Sequence, residues 1–207
     1  GSGKTRVLTR RVAHMLQSGV PPWQILAVTF TNKAAAELRA RTESLLNSSS
    51  RSMWVGTFHG LAHRLLRMHW AEAKLPQNFQ IIDSDDQVRL IKRIMKAQDI
   101  DEKKWPARQA AWFINGQKDE GKRAHEVVAK DDLFQLTHKR IYQAYEEVCD
   151  QGGLVDFAEL LLRSHELWLN DATLLAHYQQ RFAHLLVDEF QDTNTIQYAW
   201  LRVLAGK

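Results

Sequence analysis

The residues with the clearest chemical meaning stand at the two ends of the chain. Gly1-Ser2-Gly3-Lys4-Thr5 is the second half of a phosphate-binding loop of the form G-x-x-x-x-G-K-[ST]. In such a loop, backbone N–H groups and the following helix start cradle phosphate, the Lys reaches the outer phosphates, and the Ser/Thr hydroxyl holds Mg²⁺. By position, the last two roles fall to Lys4 and Thr5. Near the other end, Leu185-Leu186-Val187 runs directly into Asp188 and Glu189. Apolar strand formers followed by paired acids are the pattern of a buried strand that delivers carboxylates into a cleft at the sheet edge. A strand-end Asp is the expected second Mg²⁺ anchor, which fits Asp188. Glu189 beside it is placed to orient or deprotonate an attacking water. Alone, each motif is short enough to be a chance turn or a solvated strand end; together, each beside the matching helix or strand signal, they select phosphate chemistry.

The elements that must hold these groups follow from periodicity. Residues 5–17 read as the helix after the phosphate loop, stopped by Gly19 and Pro21-Pro22. Residues 25–30 form a continuous apolar run of strand length, typical of a parallel strand covered on both faces. Thr31 then caps a helix to about Leu46, Asn47-Ser48-Ser49-Ser50 is a polar loop, and residues 53–58 make another strand. Alternation of strand and helix predicts an α/β sheet. From His59 to Ala183 the pattern changes to helical segments with no convincing strand, one of them opened by a Ser84/Gln87 capping box. Strand 184–188 returns to the sheet and a helix follows over about 194–204. A simple crossover between parallel strands needs only a dozen or so residues. The economical division is therefore an α/β domain from residues 1–58 and 184–207, with residues 59–183 as an inserted helical subdomain.

Composition narrows the class without choosing a function. Hydrophobic content of 44% and charged content of 25% are those of an ordinary globular protein. Cys149 is the only cysteine, which excludes an internal disulfide and favours a reducing compartment. No apolar run approaches the roughly 20 residues of a membrane span. The net charge of +4 leans weakly toward a polyanionic partner. The chain begins inside a motif without an initiator Met and ends just after a helical pattern, which leads us to expect an internal stretch of a longer protein.

The motifs also have a collective likeness. The phosphate loop, Ala27-Val28-Thr29-Phe30-Thr31-Asn32-Lys33-Ala34-Ala35, Val55-Gly56-Thr57-Phe58-His59-Gly60, Gly153-Leu154-Val155-Asp156-Phe157 and Val187-Asp188-Glu189-Phe190-Gln191-Asp192-Thr193-Asn194 occur here together. In order and spacing they resemble the UvrD/Rep family of superfamily 1 DNA helicases, over essentially the whole chain. The resemblance implies a RecA-like, P-loop NTPase first motor domain with an inserted helical subdomain. It also implies ATP-driven 3′→5′ movement on single-stranded DNA, with duplex unwinding at a junction, in bacterial cytoplasmic DNA repair.

Carried over by motif position, Gly1, Ser2, Gly3, Lys4 and Thr5 bind ATP, Thr5 and Asp188 hold Mg²⁺, and Arg6 lies beside the nucleotide base. Glu189 is the catalytic base, and Gln191 links the nucleotide site to the rest of the motor. Phe30 supplies a stacking surface for a base while Thr31 and Asn32 contact phosphate, the mix that single-strand binding calls for. Thr57, Phe58 and His59 continue that track. The family motor also needs a glutamine-bearing segment and the first half of the loop upstream. Downstream it needs a Gln/Trp/Arg stretch and a second RecA-like domain that brings arginines to the γ-phosphate. None of these is in the chain, and arginine fingers are worth roughly 10³–10⁵ in rate in related enzymes. Poor ATP hydrolysis and no unwinding are expected of this stretch alone.

Other residues carry blander or competing meanings. His59 and His63 have half the spacing of a zinc site, but no second ligand pair accompanies them, so His59 reads as a DNA-contacting or structural residue. Lys103-Lys104, Lys118, Lys122 and Arg123 either hold duplex phosphates or form a solvated face. Trp23, Trp70, Trp112, Trp168 and Trp200 sit among apolar neighbours and read as core, and Asp156 reads as a helix cap with a DNA or domain-junction role implied by the family motif. Three other functions compete: the helicase part of a recombination nuclease of the RecB or AddA type, a non-catalytic ATP-dependent DNA-binding module, and a nucleotide kinase. Glu189 argues against the binding-only module, and the long helical stretch with its DEFQD motif argues against the kinase.

Overall fold

The structure, a computed structural model, describes residues 2–46 and 52–206; Gly1 and the loop expected at Asn47–Ser50 lie outside the described residues. Helix α1 (Ser2–Gln17) leads through a 3₁₀ turn at Pro22–Gln24 into strand β1 (Ile25–Thr29), then α2 (Asn32–Leu46), β2 (Trp54–Thr57) and α3 (Phe58–Met68). After β3 (Gln80–Ile81) come α4 (Ser84–Ala97), α5 (Ala107–Asp119) and α6 (Leu133–Gly152). Strand β4 (Leu154–Val155), α7 (Phe157–Asn170), α8 (Ala172–Arg181), β5 (His184–Val187) and α9 (Thr195–Leu204) complete the order.

The larger sheet has the order β2-β1-β5 with all pairings parallel, Leu26 opposite Trp54 on one side and Leu185 on the other. All five residues of β1 are buried, as a central parallel strand requires. Alternation along the strands sorts two layers of helices. Ile25, Ala27 and Leu186 pack with Leu8 and Val12 of α1 and Leu38 of α2. Leu26, Val28 and Trp54 face the other way and join Phe58, Leu65, Leu161, Trp168 and Trp200 from α3, α7 and α9.

A second core lies apart from the sheet. Val88, Ile91, Ile94 and Met95 of α4 meet Ala110, Phe113 and Ile114 of α5 and Ile141, Tyr142 and Tyr145 of α6. Of the helices in the 59–183 stretch, α3, α7 and α8 pack on the sheet core instead.

Several sequence expectations change. Residues 59–183 do contain strands: β3 and β4 pair in parallel, Gln80 opposite Leu154 and Ile81 opposite Val155. At two residues each they are too short to show a period of two. Gly153 makes the turn into β4 in the left-handed region at φ 63°, and a Cβ there would come 2.7 Å from Pro76 Cγ. The cap of α4 is Asp83 paired with Asp86, one residue ahead of the expected Ser84/Gln87 box, because a carboxylate one position earlier accepts the Asp86 N–H at 2.8 Å. Trp168 and Trp200 are core, whereas Trp112 is 76% exposed and Trp23 51%. On α5 the inward positions are Ala110, Ala111, Phe113 and Ile114. At 100° per residue Trp112 falls on the outer face between them. No helix among the described residues is long and apolar enough to cross a membrane.

Candidate functional site

The carboxylate pair follows directly on the end of β5. The β1–β5 ladder runs one residue past the strand, with the Asp188 N–H donating to the Val28 carbonyl at 2.9 Å. Alternation then puts Asp188 on the same side as Leu186, the side covered by α1. Helix α1 connects through Gly19 to Pro22 into the start of β1, so it runs back along the strands and brings its own first turn to their C-terminal ends. Ser2, Gly3, Lys4 and Thr5 make that first turn, with Gly3 exposed and Thr5 buried.

The chain turns sharply at the next residue. Glu189 adopts φ 54° and ψ 46°, a left-handed conformation that costs a non-glycine residue roughly 1–2 kcal/mol. A 3₁₀ turn over Phe190–Asp192 follows, closed by the Asp192 N–H on the Glu189 carbonyl at 2.9 Å. The turn leaves Asp188 and Glu189 half-buried and Gln191 exposed. Asn194 then caps α9 in a reciprocal box with Gln197. Strain at the residue between strand and turn is a common device for aiming a functional side chain.

Beyond the first turn of α1, Arg6, Thr9 and Arg10 line a cavity of about 390 Å³ with Arg41 and Ser44 of α2. Arg6 and Arg10 share a helix face, a spacing legible in the sequence, but their partners on α2 were not.

The expected DNA-facing residues separate into two groups. Phe30 is half-buried at the end of β1, and its ring meets Phe58 edge-to-face at 5.7 Å. Phe58 itself is only 2% exposed and also packs on Trp200 at 6.0 Å, so it backs Phe30 and presents no free ring face. Thr31 and Asn32 are exposed; the Thr31 hydroxyl oxygen accepts the Ala34 N–H at 3.0 Å and keeps its own proton available for donation. Thr57 caps α3 in the same way, accepting the Gly60 N–H at 3.0 Å.

His59 lies across from Phe157, ring centres 6.5 Å apart and edge-to-face, and burial lowers its pKa from the ordinary value. Both residues line a cavity of about 220 Å³ with Ser84, Asn115, Asp156 and Asn194. This cavity joins the end of β2, the start of α7 and the segment after Glu189. Phe157 is 51% exposed, an aromatic at a helix start that sequence reasoning quoted without a role.

Beneath it lies a buried ionic network that sequence reasoning missed. Asp156 Oδ2 accepts from Lys118 Nζ at 2.8 Å and from the Tyr145 hydroxyl at 2.6 Å, while Oδ1 caps α7 through the Glu159 N–H at 2.7 Å. Glu159 takes both terminal nitrogens of Arg123 at 2.7 Å and Lys118 at 3.0 Å. Burial opposes charge on Glu159, but Lys118, Arg123 and Arg163 hold its carboxyl well below the usual carboxylate range. Lys118 and Arg123 are therefore committed to interior carboxylates, which overturns both readings of them, a grip on duplex phosphates and a solvated face; exposed Lys122 is the one of the three not so committed. The signal in the sequence is Glu159, an acid inside the apolar first turns of α7, three residues after the capping Asp156.

A parallel sheet flanked by helices, with a Gly-Ser-Gly-Lys-Thr helix start and an Asp-Glu pair at a neighbouring strand end, defines an α/β class of protein. The chain belongs to the UvrD/REP helicase N-terminal domain family, which it matches over residues 1–207. It is 61% identical over 207 residues to the DNA helicase II of Escherichia coli (strain K12), and equally so to that of Salmonella typhimurium. It is 42% identical over 210 residues to the ATP-dependent DNA helicase PcrA of Leuconostoc citreum. These matches cover 100% of this chain, which spans about 29% of the length of the helicase II relatives and 28% of PcrA.

Proposed function

We propose that the chain is the ATP-binding portion of an ATP-dependent 3′→5′ DNA helicase, hydrolysing ATP to move along single-stranded DNA and open duplex at a junction during DNA repair. The observation that carries this reading is the convergence of two motifs at one edge of the sheet. The first turn of α1 and the Asp188-Glu189 strand end approach the same C-terminal edge from the same side.

On this reading Gly3, Lys4 and the N–H groups of the α1 start hold the phosphates of ATP. A purine rests beside Arg6, within reach of the guanidinium-lined cavity it shares with Arg10 and Arg41. The donor set fits Mg²⁺, a hard cation that prefers oxygen: a hydroxyl at Thr5 and a carboxylate at Asp188. When bound, the ion neutralises charge on the transferred phosphate. Glu189, aimed by its left-handed backbone, takes the proton of the attacking water. Gln191, exposed one turn on, relays the state of the nucleotide to the rest of the motor.

The DNA track runs over Phe30, Thr31, Asn32, Thr57 and His59, with Phe58 as the support behind Phe30. Residues 1–58 and 184–207 form the RecA-like motor domain, and residues 59–183 the helical subdomain. What supports this division is the separate core of α4, α5 and α6; α3, α7 and α8 are the part of that subdomain resting on the sheet. The partners are single-stranded DNA, a duplex junction, a second RecA-like domain of the longer protein and repair proteins, in the bacterial cytoplasm.

The test is ATP hydrolysis with and without single-stranded DNA, by this chain, by the full-length natural protein and by its Glu189→Gln variant. DNA-stimulated turnover confined to the full-length protein and abolished by Glu189→Gln supports the helicase. A full-length protein that binds ATP and DNA but never turns over is a binding module, and the enzyme reading fails. Unwinding of a tailed duplex by this chain alone sinks the split-motor reading.

A further inference from the structure

At the start of β2, three residues before Thr57, a set of arginines surrounds one buried indole. Trp54 is 2% exposed, and Arg64 of α3 stacks its guanidinium 4.1 Å from the centre of the ring. Arg181, the last residue of α8, lies 5.4 Å from the same ring and donates Nε–H to the Trp23 carbonyl at 3.2 Å. Arg39 of α2 donates to the carbonyls of Met53 and Val55, on either side of Trp54, at 3.5 and 3.4 Å.

Among the described residues neither Arg64 nor Arg181 has a carboxylate partner, although Arg64 is exposed and Arg181 half-buried. The indole N–H of Trp54 is buried with no acceptor among the described residues. Partial burial first, and then the nearby Arg181 and Arg39, lower the pKa of Arg64. A guanidinium held over an aromatic face still has N–H groups to offer, and its planar fork meets carboxylates two bonds at a time.

The apolar surroundings decide between kinds of anion. Trp23, joined to Arg181 through its carbonyl, and Met68, one turn beyond Arg64 on α3, are each 51% exposed. Exposed Trp and Met around Arg are the enriched composition of protein–protein interface centres. A phosphate track instead relies on cations and small polar groups. The patch also sits at the opposite end of β2 from Thr57 and His59, away from the proposed DNA track.

We propose that Arg64, Arg181, Trp23 and Met68 form a docking surface for an acidic segment of a partner protein. Carboxylates of the segment meet the guanidinium groups of Arg64 and Arg181, and an apolar side chain between them rests on Trp23 and Met68.

The test pans a random dodecapeptide phage library on the full-length natural protein and on its Arg64→Ala/Arg181→Ala variant. The expected peptides are rich in Asp and Glu around one or two apolar residues. Their synthetic versions should bind about tenfold or more weaker to the double variant, the loss typical of removing interface anchors. The same peptides should weaken with added salt and keep their affinity when a dT oligonucleotide is present. Should loss of the stack on Trp54 unfold the double variant, the exposed substitutions Trp23→Ala and Met68→Glu decide, with a several-fold loss expected of each. Peptides without acidic excess, or with equal affinity for every variant, overturn the proposal. So does displacement of the peptides by the oligonucleotide, which assigns the patch to nucleic acid.

Discussion

Lys118 and Asp156, 38 positions apart in the chain, meet at 2.8 Å where α5 reaches the start of α7, both almost fully buried. Their contact ties the α4–α6 core to the helix that begins with Phe157, because Gln87 of α4 and Tyr145 of α6 bond to the same carboxylate oxygen. Removing one member of a buried ion pair leaves the other charged and desolvated, at a cost of roughly 3–5 kcal/mol. Lys118→Ala should therefore lower the urea midpoint by that equivalent. Exposed Lys122→Ala should leave it within about 0.5 kcal/mol of the parent.

The neighbouring phenylalanines should part company under mutation. Phe58→Ala removes a core ring, and a loss of roughly 3–5 kcal/mol of stability is expected. Phe30→Ala, in the full-length protein, should cost about 1–3 kcal/mol of single-stranded DNA affinity, as for a stacking aromatic. Its stability should fall by less than that of Phe58→Ala. Denaturant titration and fluorescence anisotropy with a labelled oligonucleotide measure the two; unchanged DNA affinity in Phe30→Ala removes it from the track.

Stability should fall on mild acidification. His138 is fully buried, its Nδ1–H bonded to the Phe134 carbonyl at 2.8 Å and its Nε2 without a partner among the described residues. Rings of Phe134, Phe113 and Trp105 stand 4.1, 5.2 and 5.7 Å away. Burial holds its pKa below the ordinary 6.5, so the unfolded chain gains a proton near that pH while the folded one does not. The stabilising preference for neutral His138 is full above pH 6.5 and is lost as pH falls toward the lowered value. His59, His63, His69 and His165 are shifted the same way and add to the slope. Urea unfolding across this pH range should show the decline, and His138→Phe should make it shallower.

Cys149 should resist alkylation. It is buried in α6, and burial pushes its thiol up to about 12, so almost no thiolate exists at pH 8. Mass spectrometry after iodoacetamide should show no adduct on the folded protein and complete reaction in guanidinium. Rapid labelling of the folded state would mean that this end of α6 opens.

In Glu189→Gln of the full-length protein, the backbone turn should survive, since the amide side chain tolerates the left-handed conformation as the acid does. Loss of a general base typically costs 10²–10⁴ in rate. ATP turnover should fall by about that factor with ATP binding retained; a loss of binding instead would move Glu189 out of the base role.

Much of this was legible in the sequence because it is local. The apolar run of β1, the acids after β5, the amphipathic spacing of α4 to α7 and the order of the motifs each depend on residues a few positions apart. Side-chain direction repeats every two or 3.6 residues, so such features survive without knowledge of what lies opposite. Which charges and rings are available was decided only by packing. Lys118 and Arg123 look like surface cations until α7 supplies Asp156 and Glu159 across a long separation. Phe30 and Phe58 belong to similar motifs, yet only Phe58 is enclosed by Trp200. Trp112 has apolar neighbours in sequence and water as its neighbour in space. Burial and pairing are properties of contacts between distant segments, and the free energy of a charge or a ring depends on those contacts more than on its flanking residues.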